Sequence, residues 1–378
     1  MIYKDFQDLK ISQLAMGCMR LPLAGKDQSR IDEDAARKMV RLAMESGVNY
    51  YDTAFGYHDG ESERVMGRIL KDYPRESFFL ADKFPGYDSK NWDKVEQIFE
   101  LQLQKCQVDY FDFYLVHNLC EANVDAYLDE QKYGILPYLL KQRENGRIRH
   151  LGVSVHAEMP AFQRFMDAYG EHMEFCQIQL NYLDLHFQRA DEKLALLEKM
   201  GIPVWVMEPL RGGKLANLPA ECMEKLATLR PQADAVEWAV RFLQSFPQVT
   251  TVLSGASTLE QMKQNIELFS EQKPLDEREL AALQEVAKVL ADGSVPCTAC
   301  HYCTKYCPRE LDIPGLIQLY NQRTVTGKGD FIASMHLASM DEEQRPASCI
   351  GCHSCEEACP QNIPIAQVMD DFAQLMAE

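Results

Sequence analysis

Short apolar runs rich in β-branched and aromatic residues recur along the first ~265 residues, each followed by a stretch whose apolar positions return every three or four residues. The runs fall at 14–18, 48–53, 78–84, 111–117, 148–155, 175–180, 204–209 and 250–255. They are apolar on both alternating faces, the pattern of strands covered on two sides. The helical stretches lie at 32–46, 61–70, 92–104, 132–144, 160–169, 191–200, 234–244 and 260–269. In the first, Ala36, Met39, Val40, Ala43 and Met44 repeat at helical spacing, and Gly47 stands where a helix would end. Eight strand-then-helix units predict a closed parallel (β/α)8 TIM barrel of the α/β class. The competing open doubly wound sheet usually carries a G-x-G-x-x-G turn after its first strand, and no such turn occurs.

Residues 270–295 predict a charged helix, broken by Asp292-Gly293-Ser294 and Pro296. The expected division is therefore a barrel over 1–290 and a smaller domain over 291–378. A hydrophobic content of 46% over 378 residues is enough for one large core and a smaller one. The formal charge of −18 argues against nucleic acid and anionic membrane as partners. The start MIYKDFQDLK lacks the apolar core of an export signal, and no run of about 18 apolar residues exists to span a bilayer. The chain contains thirteen cysteines, and without an export signal disulfides are not expected. Eight of the thirteen cluster in two groups after residue 296, which points to metal in a cytoplasmic protein.

In a (β/α)8 barrel the chemistry sits at the C-terminal strand ends. Asp52 closes the second strand with Tyr57 in its loop, Lys83 closes the third, and His117 closes the fourth. Each alone has an ordinary structural role: a helix cap, packing, a solvated cation, a hydrogen-bonded imidazole. Four on three adjacent strand ends form a set. Carbonyl reduction needs a proton donor, and a tyrosine with a pKa of about 10 is a poor one at neutral pH. A neighbouring ammonium favours phenolate, a carboxylate fixes the ammonium, and an imidazole can orient the carbonyl oxygen.

Here the chain resembles the aldo-keto reductase family. The match runs through Gly47-Val48-Asn49-Tyr50-Tyr51-Asp52-Thr53-Ala54, Tyr57, Glu61-Ser62-Glu63, Gly67, Ala81-Asp82-Lys83 and Leu115-Val116-His117. It returns at Gly152-Val153-Ser154, Gln177 and Gly255-Ala256-Ser257, covering essentially residues 1–290. The resemblance implies Tyr57 as general acid/base, Lys83 and Asp52 as its modulators, and His117 as the orienter of a small-molecule carbonyl substrate. It also implies a nicotinamide nucleotide, NADP or NAD, across the barrel mouth. Ser154 and Gln177 would meet its carboxamide, and Met207 would stack on its ring. Leu210, Arg211, Gly212 and Gly213 would follow its pyrophosphate. Gly255, Ala256, Ser257, Gln261 and Asn265 would follow its adenosine end. Gly17, Cys18, Met19 and Asp52 complete the cofactor set. Val155 after Ser154, Met207 in place of an aromatic ring, and Gly255 and Gln261 in place of basic residues depart from the family's pattern. The last two weaken a preference for NADP. Cys18, His58 and His156 also stand at the mouth as candidate pocket residues.

Cys297, Cys300, Cys303 and Cys307-Pro308 spell C-x2-C-x2-C-x3-C-P, and Cys349, Cys352, Cys355 and Cys359-Pro360 repeat it. This is the bacterial ferredoxin run for [4Fe–4S] clusters, whereas structural zinc draws paired knuckles from separate hairpins. The ferredoxin resemblance implies that Cys297, Cys300, Cys303 and Cys359 hold one cluster, and Cys349, Cys352, Cys355 and Cys307 the other. The segments 313–320 and 331–337 and the Ile363-Pro364 start predict a mostly helical ferredoxin-like domain. The leading functional expectation is an iron–sulfur oxidoreductase whose barrel handles hydride and whose clusters exchange electrons with a redox partner protein, with a flavin as the candidate link. The alternatives are a plain carbonyl reductase with a structural or docking ferredoxin domain, and an electron carrier with a retired barrel.

Overall fold

The computed structural model describes residues 1–295, 297, 303–327, 331–359 and 361–377. The chain divides into two compact units, one of residues 1–210 and 215–283, the other of 211–214 and 284–378.

The first unit opens with an antiparallel hairpin, β1 (Tyr3–Phe6) and β2 (Leu9–Ser12). Eight parallel strands then close a barrel: β3 (Leu14–Gly17), β4 (Tyr50–Asp52), β5 (Phe79–Phe84), β6 (Phe111–Leu119), β7 (Ile148–Val155), β8 (Phe175–Gln179), β9 (Val204–Met207) and β10 (Val249–Ser254). β10 returns to pair with β3, which leaves the sheet without an edge. Each strand expected from the sequence is present, with ends shifted by up to two residues. The second shrinks to Tyr50–Asp52, and the fourth extends to Leu119 through an irregularity after Val116.

Helices cover the barrel. The first three that matter below are α1 (Glu33–Glu45), α2 (Glu61–Leu70) and α3 (Val95–Cys106). α1 starts where the Asp32 carboxylate accepts the Ala35 N–H at 3.0 Å, and it buries Ala36, Met39, Val40 and Ala43, four of the five residues whose spacing predicted it. The barrel's N-terminal end is plugged by the hairpin. Phe6 sits edge-on to Trp205 at 5.1 Å and against Phe113 at 5.6 Å, within a buried cluster that includes Tyr50 and Phe175.

The second unit is helical: Ile313–Thr326, Phe331–Ser339, a short turn at Ser354–Glu357, and Ile365–Ala377. The first of these begins with Asp312 accepting the Gly315 N–H and with Pro314 in the first turn, which needs no donor there. Leu316, Ile317, Leu337, Met369 and Phe372 form its core, with Tyr320 edge-on to Phe372 at 5.7 Å. No helix among the described residues is long and apolar enough to cross a membrane.

Candidate active site and cysteine centre

β4, β5 and β6 deliver Asp52, Lys83 and His117 to neighbouring positions at the barrel mouth, and the loop after β4 returns Tyr57 to them. Lys83 Nζ donates to Asp52 Oδ1 at 2.5 Å, to the Thr53 carbonyl at 2.8 Å, and lies 3.4 Å from the Tyr57 hydroxyl. The lysine is fully buried and Asp52 is 2% exposed, so the pair sits in a low dielectric. Burial is the largest single influence and works against the lysine's charge, yet Asp52, joined by Tyr57 and Asp82, offsets it and holds Lys83 above its ordinary pKa. Burial pushes Asp52 up, and Lys83 offsets part of that rise.

The phenol departs from expectation in one respect. Lys83 does pull Tyr57 downward, but burial is the larger effect and pushes the hydroxyl up to about 12. The buried site keeps Tyr57 protonated, as a proton donor must be. Burial, reinforced by Lys83, lowers His117 well below the usual range, so its imidazole is neutral. The His117 ring stands edge-on to Tyr57 at 6.1 Å and to Tyr87 at 5.3 Å. Its Nδ1 is buried with no hydrogen-bond partner among the described residues.

The turn carrying Tyr57 is strained and held. His58 and Asp59 take left-handed backbone at φ 53° and 54°. His58 Nε2 accepts the Leu21 N–H at 3.1 Å, which leaves Nδ1 to donate to the Gln28 carbonyl at 2.9 Å. His58 thus ties down the segment after β3, a structural role in place of the substrate contact considered from sequence. Two tyrosines that the sequence pattern did not single out complete the wall. Gly56 has no side chain because Tyr87 fills its place: a Cβ there would lie 2.3 Å from the Tyr87 hydroxyl. Tyr127 donates to the His117 carbonyl at 2.8 Å.

The nicotinamide set divides. Ser154 and Gln177 are register partners on β7 and β8, both nearly fully buried. Met207 Sδ lies 3.5 Å from Gln177 Nε2 and 4.0 Å from Ser154 Oγ, so these three come together. Gln177 Oε1 is buried without a donor, which fits a carboxamide bringing one. Gly17 stands one residue from Cys18, and a Cβ on it would press the Ser254 carbonyl at 3.2 Å, so β3 and β10 meet closely. Cys18 is buried, its thiol raised by desolvation, while Met19 is exposed. At the other end, Ser257 N–H donates to Gln261 Oε1 at 2.8 Å, and Asn265 Nδ2 donates to Ser254 Oγ at 2.6 Å. Ala256 is buried beside them, and the Arg20 stem lies across Gly255. Leu210 stays with the first unit. Arg211 to Lys214 belong to the second, where Arg211 is buried with a hydrogen bond to Gln322, and Gly212 and Gly213 take positive φ.

In the second unit Cys307, Cys349, Cys352 and Cys355 line one cavity together with Ile365 and Met369. Three come from the second cysteine run and the fourth from the first. The cavity is apolar apart from the sulfurs and the flanking Arg309 and His353. Cys297 and Cys359 pack against the same core, where Cys303 is buried. Burial pushes the Cys355 thiol up to about 12, with Cys307 and Cys303 as charged neighbours adding to it. Cys352 is exposed, and the Ser354 N–H lowers its thiol. Cys300 lies outside the described residues.

Comparison with known proteins matches residues 13–288 to the aldo/keto reductase family and residues 296–363 to a 4Fe-4S dicluster domain. The uncharacterized oxidoreductase YqkF of Bacillus subtilis is 26% identical over 312 residues, covering 74% of this chain and 94% of its own. The NADH-specific methylglyoxal reductase of Escherichia coli is 22% identical over 75% of this chain and 97% of its own. Among solved structures, the holo form of aldo-keto reductase AKR11C1 from Bacillus halodurans superposes with a TM-score of 0.62 at 25% identity, covering 76% of this chain and 96% of that one.

Proposed function

This chain belongs to the aldo/keto reductase family and carries a 4Fe-4S dicluster domain after the barrel in its sequence, and from that premise we propose that it reduces or oxidises a small carbonyl/alcohol substrate at the barrel mouth. The observation that carries this reading is the position of Lys83 Nζ, 2.5 Å from Asp52 and 3.4 Å from the Tyr57 hydroxyl. In the reducing direction NADH or NADPH, when bound, supplies hydride to the carbonyl carbon. The chain's own residues do the rest. Tyr57 donates its proton to the carbonyl oxygen as negative charge develops there, and the ammonium of Lys83 stabilises the phenolate left behind. Asp52 keeps that ammonium charged and in place. Neutral His117 directs an imidazole nitrogen at the same oxygen. Ser154, Gln177 and Met207 would hold the nicotinamide end, an assignment supported by the unpaired Gln177 Oε1.

The second part of the proposal concerns residues 291–378. Two [4Fe–4S] clusters would supply one-electron transfer to a partner protein, and a flavin is the class of co-reactant that would couple it to a two-electron hydride. Cys307, Cys349, Cys352 and Cys355 around one cavity support the crossed ligand assignment. The decisive test is Tyr57→Phe in anaerobically reconstituted protein, screened against aldehydes and ketones with NADH and NADPH in parallel. Turnover should fall by about 10² to 10⁴, the usual share of a general acid. Unchanged turnover would remove the tyrosine mechanism, and failure of either nucleotide to bind would remove the nicotinamide assignment.

A further inference from the structure

Helix α3 covers the outside of the barrel, yet it buries two polar side chains about one turn apart, Gln102 and Lys105. Each leads to one member of the Tyr57–Lys83 pair. Lys83 points into the barrel, so its neighbour Asp82 points outward, toward α3. Gln102 Nε2 donates to the Lys83 carbonyl and to Asp82 Oδ1, each at 2.9 Å. Asp82 Oδ1 also accepts the Lys83 N–H at 2.8 Å, so the backbone of Lys83 is held on both of its polar groups. The Tyr114 hydroxyl donates to Gln102 Oε1 at 2.5 Å, which engages the other end of the amide. The adjoining strand has ended by this point: Asp52, the last residue of β4, stands opposite Ala81. Side chains therefore satisfy backbone groups at Lys83 that a longer strand could have paired.

Lys105 reaches the other member. Its Nζ donates to Glu63 Oε2 of α2 at 2.7 Å, and the two side chains are 7% and 0% exposed. The same ammonium stands 4.3 Å from the centre of the Phe55 ring, and a Cβ on Gly60 would lie 3.4 Å from it. Phe55 and Gly60 bracket the turn that carries Tyr57. His58 and Asp59 in that turn take left-handed backbone, a costly conformation that persists only when its surroundings hold it. His58 anchors the turn through Leu21 and Gln28. Lys105 anchors it from α3, where the face of the Phe55 ring attracts the cation. The helices approach closely enough for this because Gly67 of α2 has no side chain: a Cβ there would lie 2.6 Å from the Lys105 carbonyl.

We propose that Gln102 and Lys105 together set the separation between the Lys83 ammonium and the Tyr57 hydroxyl. Gln102 fixes the backbone of Lys83, Lys105 fixes the turn of Tyr57, and Glu63 holds Lys105 in place. A helix suits the purpose, because the rise between two of its residues is constant. All three side chains are buried and act through Lys83 and Tyr57, so they are positioning residues. The inference also gives a task to Glu63 and Gly67, which belong to the family resemblance but not to the proton-transfer set. It rests on the reading of Tyr57 and Lys83 as the proton-donating pair.

The test uses the full reconstituted chain. Glu63→Leu combined with Lys105→Met replaces the ion pair by apolar side chains of similar volume, so this double variant should fold as stably as the parent. Its kcat should nevertheless fall about a hundredfold, the scale of a roughly 1 Å misplacement, with KM unchanged. Phe55→Leu changes a half-buried residue and keeps the ion pair. It should lower kcat by a smaller factor at unchanged KM, and it carries the same test if the double variant does not fold. Gln102→Leu should lower kcat without moving KM as well. A parental kcat in the first two variants overturns the role of Lys105, and a parental kcat in the third overturns that of Gln102. A KM that rises as kcat falls would mean that these residues shape the pocket, and overturns the proposal. If the parent reduces no carbonyl, the reading of the site fails by itself, and crystal structures decide the positioning. The distance from Lys83 Nζ to the Tyr57 hydroxyl, 3.4 Å here, should lengthen in the double variant, and an unchanged distance overturns the role of Lys105.

Discussion

At the scale of single residues, the barrel mouth spends stability to keep charges where water is scarce. Lys83 has one carboxylate partner, and Asp52→Ala leaves a buried ammonium without it. That substitution should cost about 3–5 kcal/mol in denaturant unfolding and remove activity as well. Lys83→Met strands the buried Asp52 carboxylate in the same way, so it should cost a comparable amount of stability and be equally severe for turnover. A stability loss confined to one of the two variants would contradict this account of the pair. His58 gives a pH dependence whose sign follows from its bonds. Burial holds it below its usual range, and its Nε2 must stay unprotonated to accept the Leu21 N–H. A histidine with a depressed folded pKa stabilises the fold above its unfolded pKa, about 6.5, and that contribution is lost as pH falls through the lower, folded value. Below about pH 6.5 the Tyr57 turn should therefore loosen, visible as an acid limb in both melting temperature and kcat that His58→Asn abolishes. The grouping of Asp52, Tyr57, Lys83 and His117 was readable from sequence because barrel chemistry sits at strand ends: three of them close recognisable apolar runs, and Tyr57 follows Asp52 in the loop. Tyr87, Tyr127 and Gln102 were not, because an aromatic or amide within a loop or helix carries no period that marks which wall it faces.

At the scale of elements, β-branched runs bounded by helical periodicity located all eight barrel strands, since a strand buried on both faces has little freedom in composition. What escaped was the hairpin of β1 and β2. Its strands are only four residues long, each buried only toward one end, and its turn at Gln7 uses a left-handed glutamine where a glycine would have signalled it. Yet the barrel needs it. Phe6 closes the end opposite the active site against Phe113, Phe175 and Trp205. Phe6→Ala should cost about 3–5 kcal/mol of stability, the usual range for a buried aromatic, and leave the KM for carbonyl and nucleotide unchanged. A changed KM with normal stability would place the hairpin's influence at the mouth rather than in the core.

At the scale of the whole molecule, the chain joins an aldo/keto reductase barrel to a 4Fe-4S dicluster domain, and the proposed cysteine ligation would determine how independent two clusters are. The cavity lined by Cys307, Cys349, Cys352 and Cys355 draws its fourth sulfur from the other run. If that crossing is how the clusters are held, the runs cannot be loaded separately, because each borrows a ligand from the other. The consequence can be read by counting iron. Cys307→Ser and Cys349→Ser should each weaken the same cluster, so the double variant should lose little more iron than either single. Cys307→Ser with Cys297→Ser should strip both clusters, even though both cysteines lie in the first run. Iron content and low-temperature EPR of anaerobically reduced protein distinguish the outcomes, because magnetic coupling between two cubanes disappears when either is absent. If instead the pair from one run lost a single cluster and the pair across runs lost two, each run would close on itself. Cys307 would then line the cavity only as a neighbour, and the two motifs would be independent modules in series along the chain.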